Sequence, residues 1–183
     1  MNKESLKVDI INQYSQYIEL LQNKCDLLQS KNQKYIKCKK GCSDCCKVER
    51  TVLPVEFGFI INHINNISKE NKEYIISNLN ESDEKCTFLL NDECLIYQAR
   101  PVICRTHGLM LAYLSDDEAN WNLSCCERNF LNLENDLIFG NENLLNMEEI
   151  NFELISLNNK YSSLQKIYSE RIILNKNNIL SSI

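Results

Sequence analysis

Four of the chain's ten cysteines fall within nine residues, in Cys38-Lys-Lys-Gly-Cys42-Ser-Asp-Cys45-Cys46. Thiolates at such spacings can converge on one metal ion, because short loops between ligands let the backbone curl around it. Gly41 supports this, since glycine takes the positive φ angle that a tight ligand-bearing turn often needs. Downstream stand Cys86, Cys94, Cys104 and the pair Cys125-Cys126. These read as the returning parts of the same cage. Cys45 and Cys46 are a special case, because adjacent side chains diverge, by about 100° on a helix or to opposite faces of a strand. The pair is therefore expected to serve two metal centres, to bridge a cluster of several metal atoms, or to contribute one ligand and one packed side chain.

The rest of the chain argues for metal rather than disulfides. Its first ten residues carry no apolar leader and no small-residue cleavage site, and no run approaches the ~18 apolar residues of a membrane span. This predicts a soluble, cytoplasmic protein with no membrane partner. In that reducing compartment ten cysteines are poor candidates for structural disulfides, which leaves metal binding or redox chemistry. Charge is unevenly spread: residues 24–50 hold eight Lys/Arg against three Asp/Glu, and residues 81–153 hold four against fifteen. The basic stretch reads either as a solvated helix face or as an offset to the net charge of about −2 that four thiolates leave on a divalent ion. Nucleic acid is not an expected partner. The net charge is −5 and no basic, aromatic-studded platform is present.

With 183 residues, 44% of them hydrophobic, and only four Gly and two Pro, the chain suits one domain built from long regular elements. Residues 3–35 read as a single amphipathic helix, with Ile10, Tyr14, Tyr17, Ile18, Leu21, Cys25 and Leu28 on one face. Cys25 on that face reads as a packed core residue. Were the helix to continue, Cys38, Cys42 and Cys45 would share a face; a turn at Gly41 is equally consistent. Pro54 opens a helix to about Asn66, where His63 reads as a core or boundary histidine rather than a ligand. Ser68 caps a further helix over 69–79. A polar loop over 80–85 leads to a hairpin turning at Asn91-Asp92, with Cys86 and Cys94 each at a strand start. Arg100 to Arg105 reads as a short helix bearing Cys104, and 108–124 as a second hairpin. A long helix spans 147–171, and residues 172–183 add a short turn. The fold class is therefore mainly α: long terminal helices, 3–35 and 147–171, flank an irregular cysteine-rich centre with short β-hairpins. The centre, 38–130, has few large apolar residues, so its order is expected to depend on metal.

Four segments, in order, resemble a known bacterial family. Cys38-Lys-Lys-Gly-Cys42-Ser-Asp-Cys45-Cys46 is similar to the opening Cys-x2/3-Cys-x2-Cys-Cys motif of the CxxCxxCC cysteine-cluster family, a zinc- or iron-chelating domain. Cys86-Thr-Phe-Leu-Leu and Cys94-Leu-Ile-Tyr resemble its "Cys-x-Phe-Leu … Cys-x-Ile-Tyr" segment. Arg100-Pro101-Val-Ile-Cys104-Arg105 resembles its "Arg-Pro-x-x-Cys-Arg", and Cys126-Glu-Arg-Asn-Phe130 a "Cys-x-x-Asn-Phe" ending. The resemblance implies metal or iron–sulfur binding by the matched cysteines. Flagellin lysine methylases share a similar cysteine pattern in longer chains, but no methyl-donor site is marked here.

Setting aside the unmatched Cys25 and Cys125 leaves eight candidate metal ligands: Cys38, Cys42, Cys45, Cys46, Cys86, Cys94, Cys104 and Cys126. They divide into two four-ligand sites or form one larger cluster. Zinc and iron–sulfur clusters use the same soft ligand, so both cofactors stay open. His107 is the one credible non-cysteine ligand. Arg100 and Arg105 are candidates for hydrogen-bonding to thiolates or to a carbonyl of the cage, or else for surface salt bridges with the acidic stretch. Asp44 reads as a turn or cap residue. A thioredoxin-type role for Cys42-x-x-Cys45 is disfavoured, because a helix precedes it where a strand is required. The expected function is a cytoplasmic metal-binding protein holding iron–sulfur or zinc. The alternative is a metal-dependent enzyme of redox or protein-modifying type, with no catalytic residue assignable.

Overall fold

The computed structural model describes residues 2–81, 84–131, 133, 140, 142–165 and 170–183. Helix predominates, as the apolar periodicity requires. In chain order the elements are α1 (Lys3–Lys31), β1 (Thr51–Val52), α2 (Pro54–Asn66), α3 (Lys69–Ser77), β2 (Leu89–Leu90), β3 (Glu93–Cys94), α4 (Val102–Thr106), β4 (Leu111–Leu114), β5 (Trp121–Ser124), β6 (Leu145–Asn146), α5 (Met147–Gln165), β7 (Ile172–Ile173) and α6 (Lys176–Leu180). Single 3-10 turns stand at Gln33–Tyr35, Asp44–Cys46 and Tyr97–Ala99. No described helix is long and apolar enough to cross a membrane.

The chain forms two compact units. The first comprises Met1–Ser15, Lys40–Pro101 and Leu157–Ile183; the second comprises Gln16–Lys39 and Val102–Ser156. α1 and α5 contribute to both.

In the first unit, α2 starts at Pro54, whose missing N–H costs nothing there. Glu56 accepts from the Leu53 amide at 2.8 Å, and Asn158 accepts from the Val55 amide at 3.2 Å. Both satisfy donors that a helix start leaves open. Ser68 caps α3 by accepting from the Asn71 amide at 3.3 Å. The core joins Val52, Ile60, Ile64, Ile75, Leu79, Phe88, Ile96, Leu174 and Ile179, with Cys86 among them and Cys46 and Cys94 packed against its edge. The expectation that the cysteine-rich centre lacks apolar support is therefore corrected, since α2, α3 and the chain after Cys86 supply it. β1 pairs antiparallel with β7, Val52 opposite Ile172.

In the second unit, β4 is the middle strand. β5 pairs with it antiparallel and β6 parallel. Tyr35, Met110, Ala112, Phe130 and Leu144 form the local core, with Cys125 packed against it. The Phe130 amide donates to the Tyr35 carbonyl at 2.9 Å, and the two rings stack with centroids 6.0 Å apart.

Several boundaries differ from expectation. α1 ends at Lys31, and Gln33–Tyr35 tightens into a 3-10 turn. The cause lies at Asn32, which is 3% exposed and donates its side-chain amide to the Asn143 carbonyl at 3.0 Å, fixing the chain where the helix would have run on. α5 is helical to Gln165, and Glu170 and Arg171 are not helical. The remainder of that expected helix, 166–169, and positions 82–83 of the polar loop lie outside the described residues.

Candidate metal centre

The first unit holds Cys42, Cys45, Cys46, Cys86 and Cys94. No helix carries the Cys38–Cys46 stretch. Gly41 takes φ +84°, and the chain then closes into the 3-10 turn Asp44–Cys46, where Asp44 accepts from Lys47 at 2.8 Å. Asp44 is a turn residue, as expected. The tight turn also brings the Cys45 and Cys46 sulfurs to 3.9 Å of one another. The expected divergence of adjacent side chains therefore does not keep these two sulfurs apart, since side-chain torsions can swing them together from Cβ atoms that start about 120° apart on a 3-10 turn. An ion with metal–sulfur bonds of about 2.3 Å sets tetrahedral ligands about 3.8 Å apart, so this pair has the spacing of two ligands on one ion.

The hairpin brings the next two sulfurs. Asn91 and Asp92 both have positive φ, 49° and 62°, which makes the tight two-residue turn between β2 and β3. Asp92 also accepts from the Ser43 hydroxyl, tying the turn to the cysteine cluster. The Cys86 amide donates to the Cys46 carbonyl at 2.7 Å. Cys86 lies three residues before β2 rather than at its start, and Cys94 is the second residue of β3. Each sulfur accepts a backbone N–H from the residue two further on: Phe88 for Cys86 and Ile96 for Cys94. Such N–H···S bonds favour the anionic, metal-binding form of a thiol.

Against them stands the apolar core edge. Burial raises the Cys86 thiol, and the Phe88 amide and Arg50 offset part of the rise. Burial likewise pushes Cys94 up to about 11, helped by Cys86 and Cys45 and opposed by the Ile96 amide and Arg100. Cys45 rises well above the ordinary thiol range, first through its contact with Cys46 and then through burial. These mutual effects show that Cys45, Cys46, Cys86 and Cys94 share one electrostatic neighbourhood. A divalent ion would replace their protons and cancel their repulsion. Among the described residues, no three His, Cys, Asp or Glu side chains are gathered tightly enough to hold an ion as they stand. The donor set nonetheless fits a soft metal: four sulfurs, two preorganised by N–H···S bonds, two at ligand spacing, and cations beside them.

Those cations are Arg50 and Arg100. Arg50 donates to the Cys45 carbonyl, and its Nε is buried without a hydrogen-bond partner among the described residues. An unpaired buried donor beside sulfurs is what a bound, negatively charged metal–thiolate group would satisfy. Sequence reasoning missed Arg50; its position four residues after Cys46 was the available signal. Arg100 lies over the Tyr97 ring, 3.6 Å from its centroid, and donates to the Tyr97 carbonyl at 3.1 Å. A cleft of about 620 Å³, lined in part by His63, Tyr74, Asn91 and Glu93, reaches Cys94. His63 is half-buried, and burial lowers its pKa.

The second unit holds Cys25, Cys38, Cys104, Cys125 and Cys126. Cys25 is 3% exposed within the α1 stripe, as expected of a packed residue. Cys38 has the most defined surroundings. The Asn129 side-chain amide donates to its sulfur at 3.3 Å. Gly108, at φ +98°, passes so close that a Cβ there would sit 2.8 Å from the same sulfur. Cys104 is half-buried on α4, and His107 is exposed at the end of that helix. Arg105 is 8% exposed and donates to the Gln22 side chain at 2.8 Å. None of the ten cysteines forms a disulfide.

A family model described as "CxxCxxCC: Putative zinc- or iron-chelating domain" matches residues 37–135, more than half of the chain. Comparison with curated proteins and with solved structures found no match.

Proposed function

We propose, from the premise that this chain belongs to the CxxCxxCC family, that it is a cytoplasmic metal-binding protein holding zinc or iron, the latter as an ion or an iron–sulfur cluster, through clustered thiolates. The first unit would supply one four-sulfur centre from Cys45, Cys46, Cys86 and Cys94, and Cys42 of the same unit would be a further ligand candidate. Cys38, Cys104 and Cys126 of the second unit would supply further ligands. The observation that carries this reading is the preparation of the sulfurs: the Cys45–Cys46 pair at 3.9 Å, and Cys86 and Cys94 each accepting a backbone N–H. Arg50 and Arg100 would offset the charge of the loaded centre; Arg105, bonded to Gln22, would brace α4 near Cys104.

The test is anaerobic purification of the full chain, followed by metal and acid-labile sulfide analysis. Stoichiometric zinc without sulfide identifies a structural or carrier zinc centre; iron with matching sulfide identifies a cluster. Neither metal above background, with wild-type stability unchanged by chelator, overturns the proposal. A second reading, a metal-dependent enzyme, is favoured by one observation: the cleft that reaches Cys94 gives small molecules access to a ligand. A metal spectrum perturbed by small exogenous thiols or cyanide would support that reading, and an inert spectrum would contradict it.

A further inference from the structure

Asn129 is 2% exposed, and every hydrogen-bonding group of its side chain is used. Its Oδ1 accepts from the Lys37 amide at 2.8 Å. Its Nδ2 donates to the Gly108 carbonyl at 2.6 Å and to the Cys38 sulfur at 3.3 Å. The backbone is engaged as well: the Asn129 amide donates to the Cys126 carbonyl at 2.9 Å, and the Asn129 carbonyl accepts from the Cys125 thiol at 3.8 Å. The Cys38 sulfur thus accepts from a buried donor, as a metal-bound thiolate can.

We infer that Asn129 is a positioning residue of the second unit: its buried carboxamide, held by the Lys37 amide and the Gly108 carbonyl, seats the Cys38 sulfur as a metal ligand. The inference rests on the metal-binding reading above. It explains why asparagine is required. Aspartate would turn a second acceptor toward the Gly108 carbonyl and the Cys38 sulfur, repelling both. Glutamine would carry the carboxamide one methylene beyond the Lys37 amide and the Gly108 carbonyl that hold it. Gly108 completes the seat, since any side chain there would meet the Cys38 sulfur.

The experiment titrates the metal-free full chain with Co2+ against a chromophoric chelator, in wild type, Cys38→Ala, Asn129→Asp and the Cys38→Ala/Asn129→Asp double variant. Helicity and melting midpoint are recorded for each. Asn129→Asp is expected to weaken the Cys38-dependent binding roughly 10- to 100-fold, and the double variant to bind no more weakly than Cys38→Ala alone. Should Asn129→Asp fail to fold, Asn129→Ala, which removes the carboxamide donor without adding charge, carries the same expectation. In parallel, Zn2+ should slow iodoacetamide alkylation of Cys38 in wild type, and less so in Asn129→Asp. Unchanged affinity in a folded Asn129 variant, additive losses in the double variant, or equal protection of Cys38 in Asn129→Asp would overturn the inference. A wild type that takes up no Co2+ would instead overturn the metal-binding reading itself.

Discussion

The amide of Cys86 donates to the carbonyl of Cys46 at 2.7 Å. One backbone bond therefore clamps the cysteine cluster to the chain that enters the β2–β3 hairpin, forty positions downstream. The clamp lies at the edge of an apolar core that α2 and α3 supply, so the sulfurs gather on a surface that folds for its own reasons. Metal would then close a site rather than create a fold.

Chelation is accordingly expected to leave most of the helical circular dichroism of the metal-loaded protein intact. Amide hydrogen exchange should quicken at residues 44–47 and 86–96 and stay slow in α2. Global loss of helicity on metal removal would show instead that the core of Val52, Ile60, Ile64 and Phe88 is not self-sufficient.

The raised thiols give the metal-free protein an alkaline limit. Cys45, Cys86 and Cys94 all hold their protons more tightly folded than unfolded. Their contribution to stability is complete below the ordinary thiol value of about 8.5. It is lost as pH rises through the folded values, about 11 for Cys94. Melting temperature of the metal-free chain should therefore fall from pH 8.5 to pH 11, and the Cys86→Ala/Cys94→Ala variant should show a shallower fall. The same linkage makes metal uptake release protons, measurable as acidification of a weakly buffered solution at pH 7.

Arg50 is the cation whose loss should matter most to the first unit's centre. Arg50→Met keeps the aliphatic stem and removes the charge and the buried donor. Zinc affinity is expected to drop roughly tenfold, with melting of the metal-free chain changed little. An affinity equal to wild type would reduce Arg50 to a brace for the Cys45 carbonyl.

Gly58 tests the packing between α2 and α5 within the first unit. A Cβ at Gly58 would fall on the phenol of Tyr161, which is 5% exposed. Overpacking of this kind costs about 1–3 kcal/mol, and the better helix propensity of alanine returns up to about 1. Gly58→Ala should thus destabilise by about 1–2 kcal/mol in denaturant titration, and Gly58→Ala/Tyr161→Phe should recover part of that loss.

What could be read from the sequence followed from periodicity and turn chemistry. The α1 stripe from Ile10 to Leu28, Pro54 opening α2, Ser68 capping α3 and Asn91-Asp92 turning the hairpin each have a local cause, and each was legible. The approach of the Cys45 and Cys46 sulfurs was not, because side-chain torsions set it and periodicity registers only the direction in which each Cβ starts. The parallel pairing of β4 with β6 was also hidden, since Leu145–Asn146 is too short to carry a strand pattern. Asn129 stood inside the Cys126-Glu-Arg-Asn-Phe130 segment, but its role was invisible, because its partner Cys38 is ninety-one positions away. Arg50 is only five residues from the Cys45 carbonyl it binds, so its signal was local and went unread.

X-ray absorption at the metal edge of the anaerobically purified protein counts the atoms around the metal and identifies them. Thiolate ligation by the first unit's cysteines predicts a first shell of about four sulfur scatterers at roughly 2.3 Å, reduced in the Cys86→Ala/Cys94→Ala variant. A shell of nitrogen and oxygen alone, or a sulfur count untouched by that variant, would contradict it.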